Sequence, residues 1–241
     1  MPHTEHLSKQ YDIDLDTLRS RVLQMGGLVE TQILQAIEAF ATGEAGLADG
    51  VIRNEARVNA LEVGLDDVCG HIIARRQPAA GDLRMILAIS KTTTDLERVG
   101  DEAEKIARMA KQIRERGPVP PPRLADVKHM ADTALAMLRR ALDAFARLDV
   151  AAAAAVIRDD RLIDSEFRSV MRQLITYMME DPRTISTALD ILWIAKALER
   201  IGDHSKNMAE YVIYIVKGTD VRHTTIEQVE REALRSPGGE R

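Results

Sequence analysis

The sequence predicts an all-α protein built as two tandem antiparallel three-helix bundles that are related by internal duplication. The first observation is that apolar residues recur at helical spacing through long stretches, as in Leu192, Ala195, Leu198, Ile201 and Met208. The second is composition: 45% of residues are apolar but only 3% aromatic, so Leu, Ile, Val, Ala and Met must supply the core. Ala and Leu are among the strongest helix formers. The third observation is a repeat.

The repeat is clearest in a six-residue phrase that occurs twice, as Leu96–Asp101 (LERVGD) and as Leu198–Asp203 (LERIGD). A second pair of phrases, Val51–Glu55 (VIRNE) and Val156–Asp160 (VIRDD), is separated by 105 residues, whereas the six-residue phrases are separated by 102. A small difference in length between the copies explains the change in offset. The chain is therefore expected to contain two copies of a unit about a hundred residues long.

Each copy is expected to form three long helices. Their connections are short, which makes neighbouring helices antiparallel. Asp149 is the expected N-cap of the fifth helix, and Gly218 is expected to end the sixth. Gly26 and Gly27, inside the first helix, indicate a kink or a close contact with another helix. The predicted helices span 13–42, 48–76, 82–115, 123–147, 150–180 and 184–217.

A glycine and a run of prolines at 116–122 separate the two copies, because glycine ends a helix and consecutive prolines cannot continue one. This segment predicts a first domain at 1–117 and a second at 118–218, each with its own hydrophobic core. Residues 219–241 are expected to form a charged C-terminal tail with one short helical stretch near 225–235.

The composition argues against several classes of protein. A net charge of −5 leaves no broad basic surface for nucleic acid. The only cysteine, Cys69, excludes an internal disulfide framework. We find no signal peptide and no run of 18 apolar residues, so we expect a cytoplasmic protein that meets membranes only through protein partners.

Polar residues four positions apart lie on the second and third helix of each copy, and this spacing puts each pair on one face, one turn apart. In a hairpin without register slip, two residues at the same height have a mean residue number that falls on the turn. For the four polar residues of the first copy, paired across the hairpin, this mean falls on Pro78. For the four of the second copy it falls on the Asp181–Pro182 peptide, so each set should lie at one height. The two predicted metal sites are therefore Glu55, Asn59, Glu97 and Asp101, and Asp160, Asp164, Glu199 and Asp203.

Oxygen-bearing groups held this close together need protonation, neighbouring cations or a metal ion to offset their repulsion. Hard divalent or trivalent ions take such ligands. An ordinary salt-bridged surface remains the alternative, because Lys105, Lys196 and Lys206 are near in sequence. His204 points about 100° away from Asp203 around the helix and is the weaker candidate. With four carboxylates against three, the second site is expected to bind a cation more tightly.

The repeated sequence phrases and the polar residues four positions apart resemble the PhoU family. The pattern of that family is a duplicated three-helix unit with a repeated E/D-x-x-x-D motif. Glu97-x-x-x-Asp101, Glu199-x-x-x-Asp203 and Asp160-x-x-x-Asp164 carry the resemblance, which covers about residues 10–218. Asn59 departs from the pattern because an amide stands where the family has a carboxylate. That departure lowers the charge of the first site.

The resemblance implies a cytosolic regulator without catalytic activity that holds down the phosphate-starvation response and restrains phosphate uptake. The implied partners are the ATPase subunit of the phosphate ABC transporter, the phosphate sensor histidine kinase and a second copy in a homodimer. The eight site residues would then bind iron, zinc, manganese or magnesium. Two alternatives stay open: a carboxylate-bridged metal-binding bundle with a redox or metal-storage role, and a purely structural helical protein.

Overall fold

The computed structural model describes residues 9–117 and 124–235, and over these ranges the chain is helical and contains no strand. A short 3-10 turn at Pro182–Thr184 precedes the sixth helix. The helices are α1 (Lys9–Thr42), α2 (Ala45–Arg76), α3 (Ala80–Glu115), α4 (Leu124–Arg147), α5 (Val150–Glu180), α6 (Ile185–Lys217) and α7 (Ile226–Leu234). The all-α prediction is confirmed, and each of the six long helices ends at the predicted residue. The predicted linker at 118–122 lies outside the described residues.

Local signals explain where the helices start and stop. The Asp149 carboxylate accepts a hydrogen bond from the Ala152 amide at 3.0 Å, so it is the N-cap predicted for α5. Gly218 ends α6 in the left-handed conformation, with φ of +73°, and its amide donates to the Tyr214 carbonyl. This backbone conformation is open to glycine at little cost, whereas a side chain would strain it.

The helices group as the repeat predicts: α1, α2 and α3 pack together, and so do α4, α5 and α6. The expectation of a separate core in each copy was wrong. Buried apolar side chains form one connected cluster, because α3 packs along α6 and α1 also contacts α4. Gly26 is one cause of this continuity, since a Cβ there would lie 2.7 Å from a methyl group of Leu142 on α4. Its predicted close helix contact is confirmed.

Polar groups also connect the two copies along α3 and α6. Arg116 pairs with Asp190 near one end of this interface, and Arg200 pairs with Glu102 at 3.1 Å nearer its centre. Asp95, a buried residue of α3, is the acceptor for Asn207 of α6. These contacts run antiparallel, with early residues of α3 against late residues of α6.

The segment after α6 is more than a tail. Val221 and Val229 are buried, and α7 packs against α5. Arg158 of α5 pairs with Glu230 at 3.0 Å, and Thr219 donates to Glu232. Residues 219–235 are therefore part of the packed structure, and the short helix expected near 225–235 is confirmed as α7.

Candidate metal site

Three of the four residues predicted in the first copy lie together. Glu55 on α2 and Glu97 and Asp101 on α3 each offer one carboxylate oxygen, and these oxygens lie within 4.8 Å of one another. The fourth predicted residue, Asn59, follows Glu55 by one turn on α2 and is exposed. The three carboxylates, here called the first acidic cluster, have the spacing of ligands around a single cation.

The glycine of the repeated phrase makes this approach of α2 to α3 feasible. A Cβ at Gly100 would lie 3.2 Å from Glu55 Oε2 and 3.2 Å from a methyl group of Val58. Its counterpart Gly202 serves the second hairpin, where a Cβ would lie 2.9 Å from Ile163 of α5. The presence of a glycine at the same place in both phrases is the sequence signal for these two close helix contacts.

Among the described residues, no cationic side chain pairs with the Glu55 carboxylate. Its residue is only 7% exposed, and neither carboxylate oxygen accepts a hydrogen bond from a described residue. Gln32 lies nearby, but its amide nitrogen is directed to the Val51 carbonyl at 3.5 Å. Burial, followed by the charges of Asp101, Glu104 and Glu97, raises the pKa of Glu55 to about 7.

The pKa values of the other two carboxyl groups in the cluster are raised as well. Burial raises the pKa of Glu97, with Asp101 and Glu62 adding to the effect. Burial also raises the pKa of Asp101, against the opposing charge of Lys105. Each group is therefore harder to ionise than usual, and a bound cation would stabilise the ionised form of all three.

Nearby basic side chains pair elsewhere. Lys105, a candidate partner for Asp101, instead bonds Glu102 at 2.8 Å. Arg108 pairs with Glu104 at 2.6 Å. Within the ranges that the structure describes, no Lys or Arg forms an ion pair with the first acidic cluster. Hard cations prefer carboxylate oxygens as ligands, so this cluster, with no cationic partner of its own, fits a metal ion.

The second copy differs. Lys206 Nζ lies 2.7 Å from Asp160 Oδ2, Lys196 bonds Glu199, and Arg168 is 3.6 Å from Asp164. Of the four residues predicted there, three are thus paired with cationic side chains. The fourth, Asp203, is exposed as a residue. Desolvation of its carboxyl group, with Glu199 and Asp160 nearby, nonetheless raises its pKa to about 6.

Two other residues of the sixth helix pair with carboxylates of α3 that are not among the predicted site residues. His204 faces α3, where its Nδ1 lies 2.7 Å from the Asp95 carboxylate. Arg200 makes an interhelical ion pair with Glu102. Among the described residues, the one group of acidic, histidine or cysteine side chains with metal-ligand spacing is the first acidic cluster.

The PhoU domain model of protein families matches this chain twice, at residues 22–110 and 127–212. The chain belongs to the PhoU family. A phosphate-specific transport system accessory protein PhoU homolog from Burkholderia sp is 52% identical over 233 residues, which cover 95% of this chain and 98% of the relative.

Two solved PhoU structures resemble this one. The crystal structure of PhoU from Pseudomonas aeruginosa has a TM-score of 0.84 at 47% identity, covering 87% of this chain and all of that one. The phosphate transport system regulatory protein PhoU from Streptococcus pneumoniae has a TM-score of 0.80 at 26% identity, covering 88% and 99%. In the described part of this PhoU chain, no helix has the length and apolar character needed to cross a bilayer.

Proposed function

We propose that this protein is a cytoplasmic regulator of phosphate homeostasis that restrains phosphate uptake and the phosphate-starvation response. The observation that carries the proposal is its membership of the PhoU family over nearly its whole length. Similar proteins bear the names phosphate-specific transport system accessory protein and phosphate transport system regulatory protein. In this proposal the chain couples the ATPase subunit of the phosphate ABC transporter to the sensor histidine kinase, without catalysis of its own.

Deletion of the gene tests this role. We expect phosphate-starvation genes to stay switched on in rich phosphate, and a plasmid copy of the wild-type gene to restore repression. Normal repression in a deletion strain that has no second homologous gene would contradict the proposal. A pull-down from phosphate-replete cells should recover the transporter ATPase and the kinase, and light scattering of the purified protein should give the mass of a homodimer.

We also propose that the first acidic cluster binds a metal ion. Glu55, Glu97 and Asp101 would hold it, and the Asn59 amide oxygen would complete the set predicted from the sequence. The ion would neutralise charges that the apo protein must otherwise protonate. Iron, zinc, manganese and magnesium are the candidates, and metal analysis of protein purified without chelators identifies which one is bound.

An alternative is a carboxylate-bridged metal protein with a redox or storage role. Bundle oxidases draw ligands from four helices and use Glu-x-x-His pairs. The first acidic cluster draws three carboxylates from two helices and contains no histidine, which favours the regulator. Oxygen consumption with a reductant separates the two functions: turnover by the iron-loaded protein would support the oxidase.

A further inference from the structure

We infer that Lys206 is a built-in counter-ion that takes the place of a metal ion in the second copy, so that each chain holds one metal site instead of two. This inference rests on the metal site proposed for the first acidic cluster. It reverses the expectation from carboxylate count, which ranked the second site as the tighter one.

The repeat shows which positions correspond. On the second helix of each copy the offset is 105, which relates Glu55 to Asp160. On the third helix the offset is 102, which relates Asp101 to Asp203 and Glu104 to Lys206. The charge sign therefore reverses between the copies from Glu104 to Lys206, beside carboxylates that the copies share at three of the four site positions.

In the second copy the ammonium group occupies the position of a cation. Its 2.7 Å bond to Asp160 joins α6 to α5 across the hairpin, and the Asp160 side chain is only 10% exposed. Burial acts to lower the pKa of Lys206, but the bond to Asp160 and the charges of Asp160, Glu210 and Asp203 outweigh it and raise the pKa. Lys206 is therefore charged at neutral pH.

A second lysine reinforces this arrangement. Lys196 bonds Glu199 and lies over the Phe167 ring, 5.3 Å from its centroid, which is the geometry of a cation–π contact. An ammonium group has no lone pair to offer a metal ion and repels it. With Asp160 and Glu199 both neutralised, the second set of residues does not fit a multivalent cation.

In the first copy the same position has the opposite effect. Glu104 bonds Arg108 and adds its negative charge to those around Glu55. No ammonium group reaches the buried Glu55 oxygens among the described residues. The first copy therefore lacks both ammonium groups of the second, because Glu104 stands at the position of Lys206 and Thr94 at that of Lys196.

Reciprocal exchange at these two positions tests the inference. Full-length protein, stripped of metal with a chelator, is titrated with Mn²⁺ by calorimetry, and bound Mn²⁺ is counted by loss of the free-ion EPR signal. We expect one site per wild-type chain. Lys206→Gln, which removes the ammonium group, should bind a second Mn²⁺, and Lys206→Glu should do so more tightly. Glu104→Lys should lose binding, because the new ammonium group can pair with Glu55.

Glu104→Gln is the matched control, since it removes the negative charge without adding an ammonium group and should keep one site. Circular dichroism confirms that each variant is helical. Two sites in the wild-type protein, or one site in both Lys206 variants, would overturn the inference while leaving the metal proposal standing. No binding by the wild-type protein would remove both the proposed metal site and the role given to Lys206.

Discussion

Replacing Glu55 by Gln should make the metal-free protein more stable above neutral pH. The pKa of this carboxyl group rises from an ordinary 4.5 to about 7 in the folded chain. The folded state therefore binds more protons than the unfolded state between these values, and the free energy of unfolding falls as pH rises through this window. The full rise corresponds to about 3 kcal/mol above pH 7. Glutamine has nearly the same shape and no charge, so it avoids this penalty.

Urea unfolding in the presence of EDTA measures the effect, followed by circular dichroism at pH 4 and pH 8. At pH 4 the Glu55 carboxyl group is mostly protonated in both states, so the wild-type protein and Glu55→Gln should be similar. At pH 8 the variant should be more stable by about 2–3 kcal/mol, or about 5–10 °C in melting temperature. Excess Mn²⁺ should then raise the stability of the wild-type protein more than that of the variant.

The equivalent change in the second copy should have the opposite sign. Asp160→Asn removes the partner of Lys206, whose side chain is 34% exposed. We expect a loss of about 1–2 kcal/mol, because a partly buried ammonium group loses its ion pair. The reasoning is refuted if Glu55→Gln gives no gain at pH 8 in EDTA, or if both variants shift stability in the same direction at that pH.

Three further experiments test a helix contact, a helix cap and the burial of the cysteine thiol. Gly26→Val should cost about 1–3 kcal/mol, because its Cβ would overlap Leu142. A Cβ at Gly27 would meet nothing within 4 Å, so Gly27→Val should cost about 1 kcal/mol or less in the same urea titration. Asp149→Ala should lower stability by about 1 kcal/mol through loss of the α5 N-cap, and an unchanged urea midpoint would contradict that role. Burial raises the pKa of Cys69 to about 11, so iodoacetamide at pH 8 should label the thiol only after denaturant is added, as mass spectrometry would show.

Helix boundaries could be predicted because their causes are local. The Asp149 cap and the left-handed Gly218 depend on residues within one turn, so they are visible in the sequence. Predictions were least accurate at helix starts without a side-chain cap: α2 begins at Ala45 and α3 at Ala80, a few residues before the predicted positions.

The meeting of Glu55 with Glu97 and Asp101 was also predictable, because a short hairpin fixes the relative height of its two helices. The joint core of the two copies was not, since the apolar faces of α3 and α6 have the same pattern whether they cover one bundle or two. The relative height of two residues in a helical hairpin follows from the number of residues between each of them and the turn. The helix against which an apolar face packs depends on the whole fold.

Sequence alone predicted the level at which Glu55, Glu97 and Asp101 meet in the first copy. Only the tertiary structure decided which of them are neutralised. Lys105 and Lys206 are each a few residues from an acidic site residue, yet Lys105 bonds Glu102 on its own helix and Lys206 crosses to Asp160 on α5. The direction of a long side chain depends on its angle around the helix and on the charges of the facing helix. Sequence spacing therefore locates the acidic residues, while packing decides whether a lysine pairs with them or leaves them without a cationic partner.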